Sequence, residues 1–219
     1  MDIASKLREM LNKAREYMQK KELAGDDLTK RPAYDPKLEA LIPVLKKEIP
    51  LKAHAHRADD IFTAIRIADE FGLGLTLDHC TEGHLIVDAI AESGYPAIVG
   101  PSLASRSKDE VSLSDFKTPG ILQKSGVTVA LTTDHPVSRI QYLPLCAGLA
   151  AKEGMGAWGA LRAITIDAAR ICRVDHRLGS LKVGKDADVV LYRGDPLEIA
   201  SSVCMTIING EIVWQSTEV

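Results

Sequence analysis

The chain has 219 residues, of which 46% are apolar and 26% charged, with a formal net charge of −3. That balance supports a buried core and excludes an intrinsically disordered chain. With no basic field and no polybasic run, neither a nucleic-acid partner nor a membrane-surface partner is expected. No stretch of about 18 apolar residues occurs, so no membrane span is expected either. The charged, amphipathic start MDIASKLREMLNKAREYMQKKE does not read as a secretory signal. Four cysteines (Cys80, Cys146, Cys172 and Cys204) form no C-x-x-C pair. They are expected to be reduced thiols of a cytoplasmic protein.

In chain order, residues 1–24 read as a helix, with Ile3, Leu7, Leu11, Ala14 and Met18 at spacings of three and four. Residues 25–36 are a loop by their Gly, Pro and Asp content. A second helix is expected over roughly 36–47. The chain then alternates: strand Leu51–Ala55, helix Asp59–Phe71, strand Leu73–Leu77 and helix Gly83–Ser93. Strand Ala97–Val99 and a helix over about 115–125 follow, then strand Val127–Leu131 and helices Arg139–Lys152 and Ala157–Ile171. The strands are short apolar runs, which favours parallel strands buried on both faces with right-handed helical crossovers. From about Leu178 the texture is β-rich, and Asn209-Gly210 is a two-residue hairpin signal. Trp158 and Trp214 are expected in core or interface packing.

Five of the six histidines fall at or just beyond strand ends. His54 and His56 end the first strand, His79 ends the second, His84 opens the next helix, and His135 follows the fourth strand with Asp134 before it. Functional sites in parallel α/β folds are built at that end. Strand alternation puts His54 and His56 on one face and Ala53 and Ala55 on the other. Imidazoles and a carboxylate brought together from separate strands suit zinc and related ions. An aspartate beside such an ion can take a proton from water. Taken singly, His84, His135 and His176 are each read as hydrogen-bonded structural residues. Ser102 and Ser105 lie beyond the third strand without a nucleophile elbow, and no phosphate-binding glycine motif is present.

The segments KAHAHRADD, LDHCTEGH, VALTTDHP and LGSLKVGKDADVVLYRGDP…INGEIVW together resemble the metal-dependent amidohydrolase superfamily, in particular its imidazolonepropionase-like branch. The resemblance covers roughly residues 50–214. It implies a (β/α)8 barrel beside a small β-sandwich, holding one or two divalent metals. The metal roles of the fifth, sixth and eighth strands would fall on His54, His79 and Asp134, with Asp134 also the catalytic proton acceptor. His56, Arg57 and His135 would contact substrate. The implied reaction is hydrolysis of C–N bonds in amides or cyclic amides, with a divalent metal, zinc favoured, as cofactor.

The family's first-strand His-x-His and bridging lysine are missing, because no histidine precedes His54. Only 80 positions separate His54 from Asp134, room for four strands rather than eight. The expected fold is therefore α/β, the C-terminal half of a TIM-like barrel plus a β-rich appendage. Its expected organisation is an N-terminal helical segment (1–50), a partial barrel (51–177) and part of a β-sandwich (178–219). A half-barrel should leave two free edges and an open apolar interior. That predicts a homo-oligomer, or pairing with a complementary N-terminal half. The competing expectation is an inactive half-barrel serving as an assembly or binding module.

Overall fold

The structure, a computed structural model, describes residues 2–217; Met1, Glu218 and Val219 lie outside the described residues. Helix α1 (Asp2–Ala24) buries Leu11, Ala14 and Tyr17, three positions of the expected periodic face or next to it. It is held to helix α2 (Pro36–Leu45) by the Tyr17 hydroxyl donating to Glu39 at 2.8 Å. Asp35 caps α2 by accepting from the amides of Lys37 and Leu38.

Four parallel strands follow, β1 (Leu51–Ala55), β2 (Leu75–His79), β3 (Ala97–Val99) and β4 (Val129–Leu131), side by side in that order. Helix α3 (Ala58–Phe71) follows β1, α4 (Val87–Ser93) follows β2, and α5 (Lys117–Lys124) follows β3. After β4 come α6 (Leu143–Ala150), α7 (Ala157–Ala163) and α8 (Ile166–Ile171). A second, antiparallel sheet of β5 (Val189–Arg193), β6 (Ser202–Ile208) and β7 (Glu211–Gln215) completes the chain. Its β6–β7 turn is Asn209-Gly210, both at positive φ (52° and 83°), as a two-residue hairpin requires.

Two strands begin two residues later than the apolar runs predict, for one reason. Gly72 is left-handed at φ 63°, its amide bonds Asp69 O, and the Leu73 amide bonds Ala68 O. Gly126, at φ 90°, does the same with Gln123 O, and Val127 bonds Leu122 O. These are helix-stop motifs in which the residue after the glycine packs back on the helix. Leu73 and Val127 are thus buried helix closures rather than strand starts. The expected helix 157–171 is broken at Thr165, between α7 and α8. Beyond that break the buried Asp167 carboxylate is gripped by Arg162, through two bonds of 3.0 and 2.8 Å, and by Arg170 at 2.8 Å.

The two faces of the parallel sheet differ. Leu75, Leu77, Ala97, Val99, Val129 and Leu131 pack against Ile61, Ile65 and Ala68 of α3, Ile90 of α4 and Leu122 of α5. The opposite face carries the register rows Lys52–Thr76 and His54–Asp78–Ile98–Ala130. There the Lys52 ammonium meets Asp78 at 2.8 Å and the Thr76 hydroxyl donates to the same carboxylate. The expected apolar interior is therefore corrected: this face is largely polar, and β1 is packed on one side only. The second sheet carries exposed apolar side chains, with Ile212, Val213 and Trp214 all about half exposed. Trp158, 71% exposed, is not a core residue either.

The cysteines are all free. Burial pushes the Cys80 thiol up to about 12, whereas Cys172 is exposed. Because the thiolate is the reacting species, a thiol-specific reagent at pH 8 should modify Cys172 within minutes. Cys80 should react only after denaturant is added; prompt labelling of Cys80, read by peptide mass, would contradict this packing.

Candidate metal centre

The site forms at the C-terminal end of β1 and β2. Lys52 and His54 point to the open face of β1, and His56 lies one residue beyond the strand. His79 is the last residue of β2 and the register partner of Ala55. Simple alternation would turn His79 toward the helices. Its backbone is left-handed at φ 71°, followed by Cys80 at 47°, and the ring swings to the histidines of β1. Ring centroids lie 4.1 Å apart for His54 and His79, 4.7 Å for His56 and His79, and 5.0 Å for His54 and His56.

The hydrogen bonds define which nitrogens face the centre. His79 Nδ1 lies 2.7 Å from the carbonyl oxygen of Gly100. A carbonyl only accepts, so Nδ1 carries the proton and Nε2 presents its lone pair. His79 Nε2 lies 3.1 Å from His54 Nδ1. His56 Nδ1 is engaged by the Thr81 hydroxyl at 2.8 Å. His56 and His79 are buried, while His54 is exposed on the open side. Burial pushes the His56 imidazole below the usual histidine range, and the adjacent His79 and His54 rings push the same way, with Glu110 opposing.

One donor atom from each of His54, His56 and His79 lies within 4.8 Å of the other two. Tetrahedral zinc with bonds of about 2.0–2.1 Å spaces its ligand atoms roughly 3.4 Å apart. The 3.1 Å separation of the His54 and His79 nitrogens already meets that spacing. A ligating histidine usually donates its other N–H to a carbonyl or carboxylate, and Gly100 O supplies this for His79. The donor set therefore fits a divalent transition metal.

The other residues singled out in the sequence are placed as follows. Asp134 is exposed on the loop after β4, at φ 49°, with its amide donating to Thr132 Oγ1. Among the described residues it is not part of the three-histidine group. It follows β4, and β1 and β4 are the two edge strands of this sheet. His135 is exposed beside Asp134. Arg57 is on the rim next to His56, half exposed, with Nε donating to Asp59 at 3.2 Å. His84 is outside the group and bonds the buried Thr118 hydroxyl. Thr81 and Gly100, which hold the rings of His56 and His79, carry no signal in the sequence. Each works through a partner more than twenty positions away, so no local pattern marks them.

Gly100 sits at φ 129°, and a Cβ there would lie 2.2 Å from the carbonyl oxygen of Thr132. Gly100→Ala should therefore displace the carbonyl that holds His79. It should lower stability by roughly 2–4 kcal/mol, backbone strain and overpacking together, measured by urea unfolding. The lowered His56 pKa sets a second expectation. The unfolded chain takes up this proton at higher pH than the folded chain, so stability present above about 6.5 is lost as pH falls through the lower folded value. Urea midpoints should fall between pH 7.5 and 5, and the fall should be shallower in His56→Gln.

Comparison with known proteins bears on the family and the fold. Residues 104–214, just over half of the chain, match the amidohydrolase family. An amidohydrolase crystal structure from Thermotoga maritima is 39% identical, with a TM-score of 0.93, covering 97% of this chain and 56% of that one. The imidazolonepropionase of Maricaulis maris is 29% identical over 180 residues, 76% of this chain and 42% of that protein. The amidohydrolase tasK of Hapsidospora irregularis is 26% identical over 180 residues, 78% of this chain and 18% of that protein. The chain thus spans about half of the Thermotoga structure and less of these two curated relatives. Its four parallel strands with their helices, and the small antiparallel sheet after them, are the matching part of a TIM-like amidohydrolase barrel. The chain belongs to the amidohydrolase family, on the imidazolonepropionase-like side of it.

Proposed function

We propose that this chain carries the metal-binding part of a hydrolase that cleaves C–N bonds of amides or cyclic amides. The observation that carries the reading is the convergence of His54 Nδ1 and His79 Nε2, from two strands, to 3.1 Å. These two side chains would hold a divalent metal, zinc being favoured by imidazole donors. When bound, such an ion supplies Lewis acidity, polarising a carbonyl and acidifying water. Asp134, at the same end of the sheet, accepts the proton from the attacking water and returns it to the leaving nitrogen as the C–N bond breaks. Arg57 meets a substrate carboxylate, and His135 contacts the substrate beside Asp134. The free thiols fit a cytoplasmic setting.

In this reading the active assembly needs more strands than this sheet has. The outer edges of β1 and β4 have no strand partner among the described residues. The half-exposed side chains of β7 also lack a cover. A complementary N-terminal half, or a second copy of the chain, would pair these edges and bring Asp134 toward the imidazoles. The second reading is an inactive half-barrel acting as an assembly module, and Asp134's place outside the histidine group favours it.

The purified chain, supplied with zinc, should be assayed on dipeptides, hydantoins and lactams. Turnover that drops about 10²–10⁴-fold in Asp134→Asn, the scale of a lost general base, supports the hydrolase. Metal binding without turnover, in the chain alone and when mixed with a complementary half, would leave only the assembly module.

A further inference from the structure

At the end of the sheet opposite the histidine group, α7 and α8 border a cavity of about 410 Å³ against the start of β4. Small-molecule sites commonly span ~300–1,000 Å³, with apolar walls and a few fixed polar groups. This cavity has that make-up. Val127, Val129 and Met155, all buried, supply apolar wall. Its charged lining is Arg162, Asp167 and Arg170, and Asp167 is the one acidic residue on it among the described residues.

Asp167 is 5% exposed and divides its carboxylate between two guanidinium groups. Arg162 donates to it through Nε and Nη2 at 3.0 and 2.8 Å, and Arg170 through Nη1 at 2.8 Å. One negative charge thus holds two positive ones, which leaves an excess of one at the cavity. Arg162 Nη1 and Arg170 Nε and Nη2 donate to no protein group among the described residues. A guanidinium already fixed by a buried carboxylate loses little freedom in taking up a second anion, and its planar fork suits carboxylate and phosphate oxygens. Trp158 stands four residues before Arg162 on α7, hence on the same side of the helix, and it lines the same cavity. Its 71% exposure leaves a broad indole face beside the arginines, a surface on which another flat ring can stack.

We infer that this cavity binds a small anion carrying a flat ring, an aromatic or heteroaromatic carboxylate or phosphate ester. Arg162 and Arg170 hold the anionic group, and the ring lies on Trp158. Asp167 is the positioning residue that aims both guanidinium groups. The inference rests neither on the metal role of the histidines nor on hydrolysis.

The chain has two tryptophans, so in Trp214→Phe the indole emission comes from Trp158 alone. The full chain with that change is titrated with adenosine monophosphate and with nicotinate, in the presence of a chelator so that no metal at the histidines contributes. At least one of the two anions should quench the emission saturably. Its uncharged counterpart, adenosine or nicotinamide, should bind about 10-fold or more weakly, the scale of a lost charged hydrogen bond. Whichever anion binds more tightly tells whether the site prefers phosphate or carboxylate. By calorimetry, Arg170→Gln in the otherwise unchanged chain should weaken that anion by about 10-fold or more. Trp158→Leu should weaken it by about 5-fold or more, as loss of a stacking surface does. Circular dichroism checks the fold of each variant, and if Arg170→Gln does not fold, the exposed Trp158→Leu decides. Absence of saturable quenching by both anions would overturn the inference. So would equal affinity for the uncharged counterparts, or wild-type affinity in a folded Arg170→Gln or in Trp158→Leu. A failed hydrolase assay leaves it standing.

Discussion

A β-strand alternates its side chains, and alternation alone would carry His79 to the helix side of the sheet beside its register partner Ala55. The left-handed turn at His79 and Cys80 prevents this. Such backbone is unfavourable for residues with a side chain and persists only where the surroundings hold it. Here the Gly100 carbonyl grips the His79 ring from one side, and the Cys80 amide is tied to Ala55 from the other. The whole cluster follows: His54 meets His79 because β2 ends in a twist, and His56 joins because the same turn supplies Thr81.

The sheet beneath this cluster is stabilised from one side. Its helix-facing residues form a continuous apolar core with α3, α4 and α5. Its other face offers an ion pair, a threonine and small or mid-sized apolar groups in register. Any strands that close over this face would meet Lys52 and Asp78, already neutralised by one another, rather than a greasy surface. Burial of such a pair costs desolvation and favours a partner that completes its hydrogen bonds. The small second sheet presents the opposite situation, with apolar side chains half exposed along β7 and open edges at β5 and β7. An isolated three-stranded sheet of this kind gains from a cover.

Much of the architecture was legible in the residues. The strands Leu51–Ala55 and Ala97–Val99 coincide with their apolar runs. Asn209-Gly210 marks its hairpin because few residues other than asparagine and glycine tolerate two successive positive φ angles. The strand starts expected at Leu73 and Val127 fall two residues early because a helix stop also ends in a buried apolar residue, and composition does not separate that from a strand. The break at Thr165 was invisible, since the Arg162–Asp167–Arg170 network that accompanies it is read only in three dimensions.

Sequence by itself determined which residue types stand at the strand ends, and so placed His54 and His79 among the candidates for one centre. Position along a strand depends on local periodicity, which a linear reading captures. Tertiary structure alone decided how the rings are aimed and which of them meet. His56 enters the group through Thr81, His79 through Gly100, and Asp134 stays on the far edge of the sheet. Those outcomes depend on hydrogen bonds between segments 21 and 25 residues apart and on the order of strands across the sheet. Neither quantity is written in any local stretch of the chain.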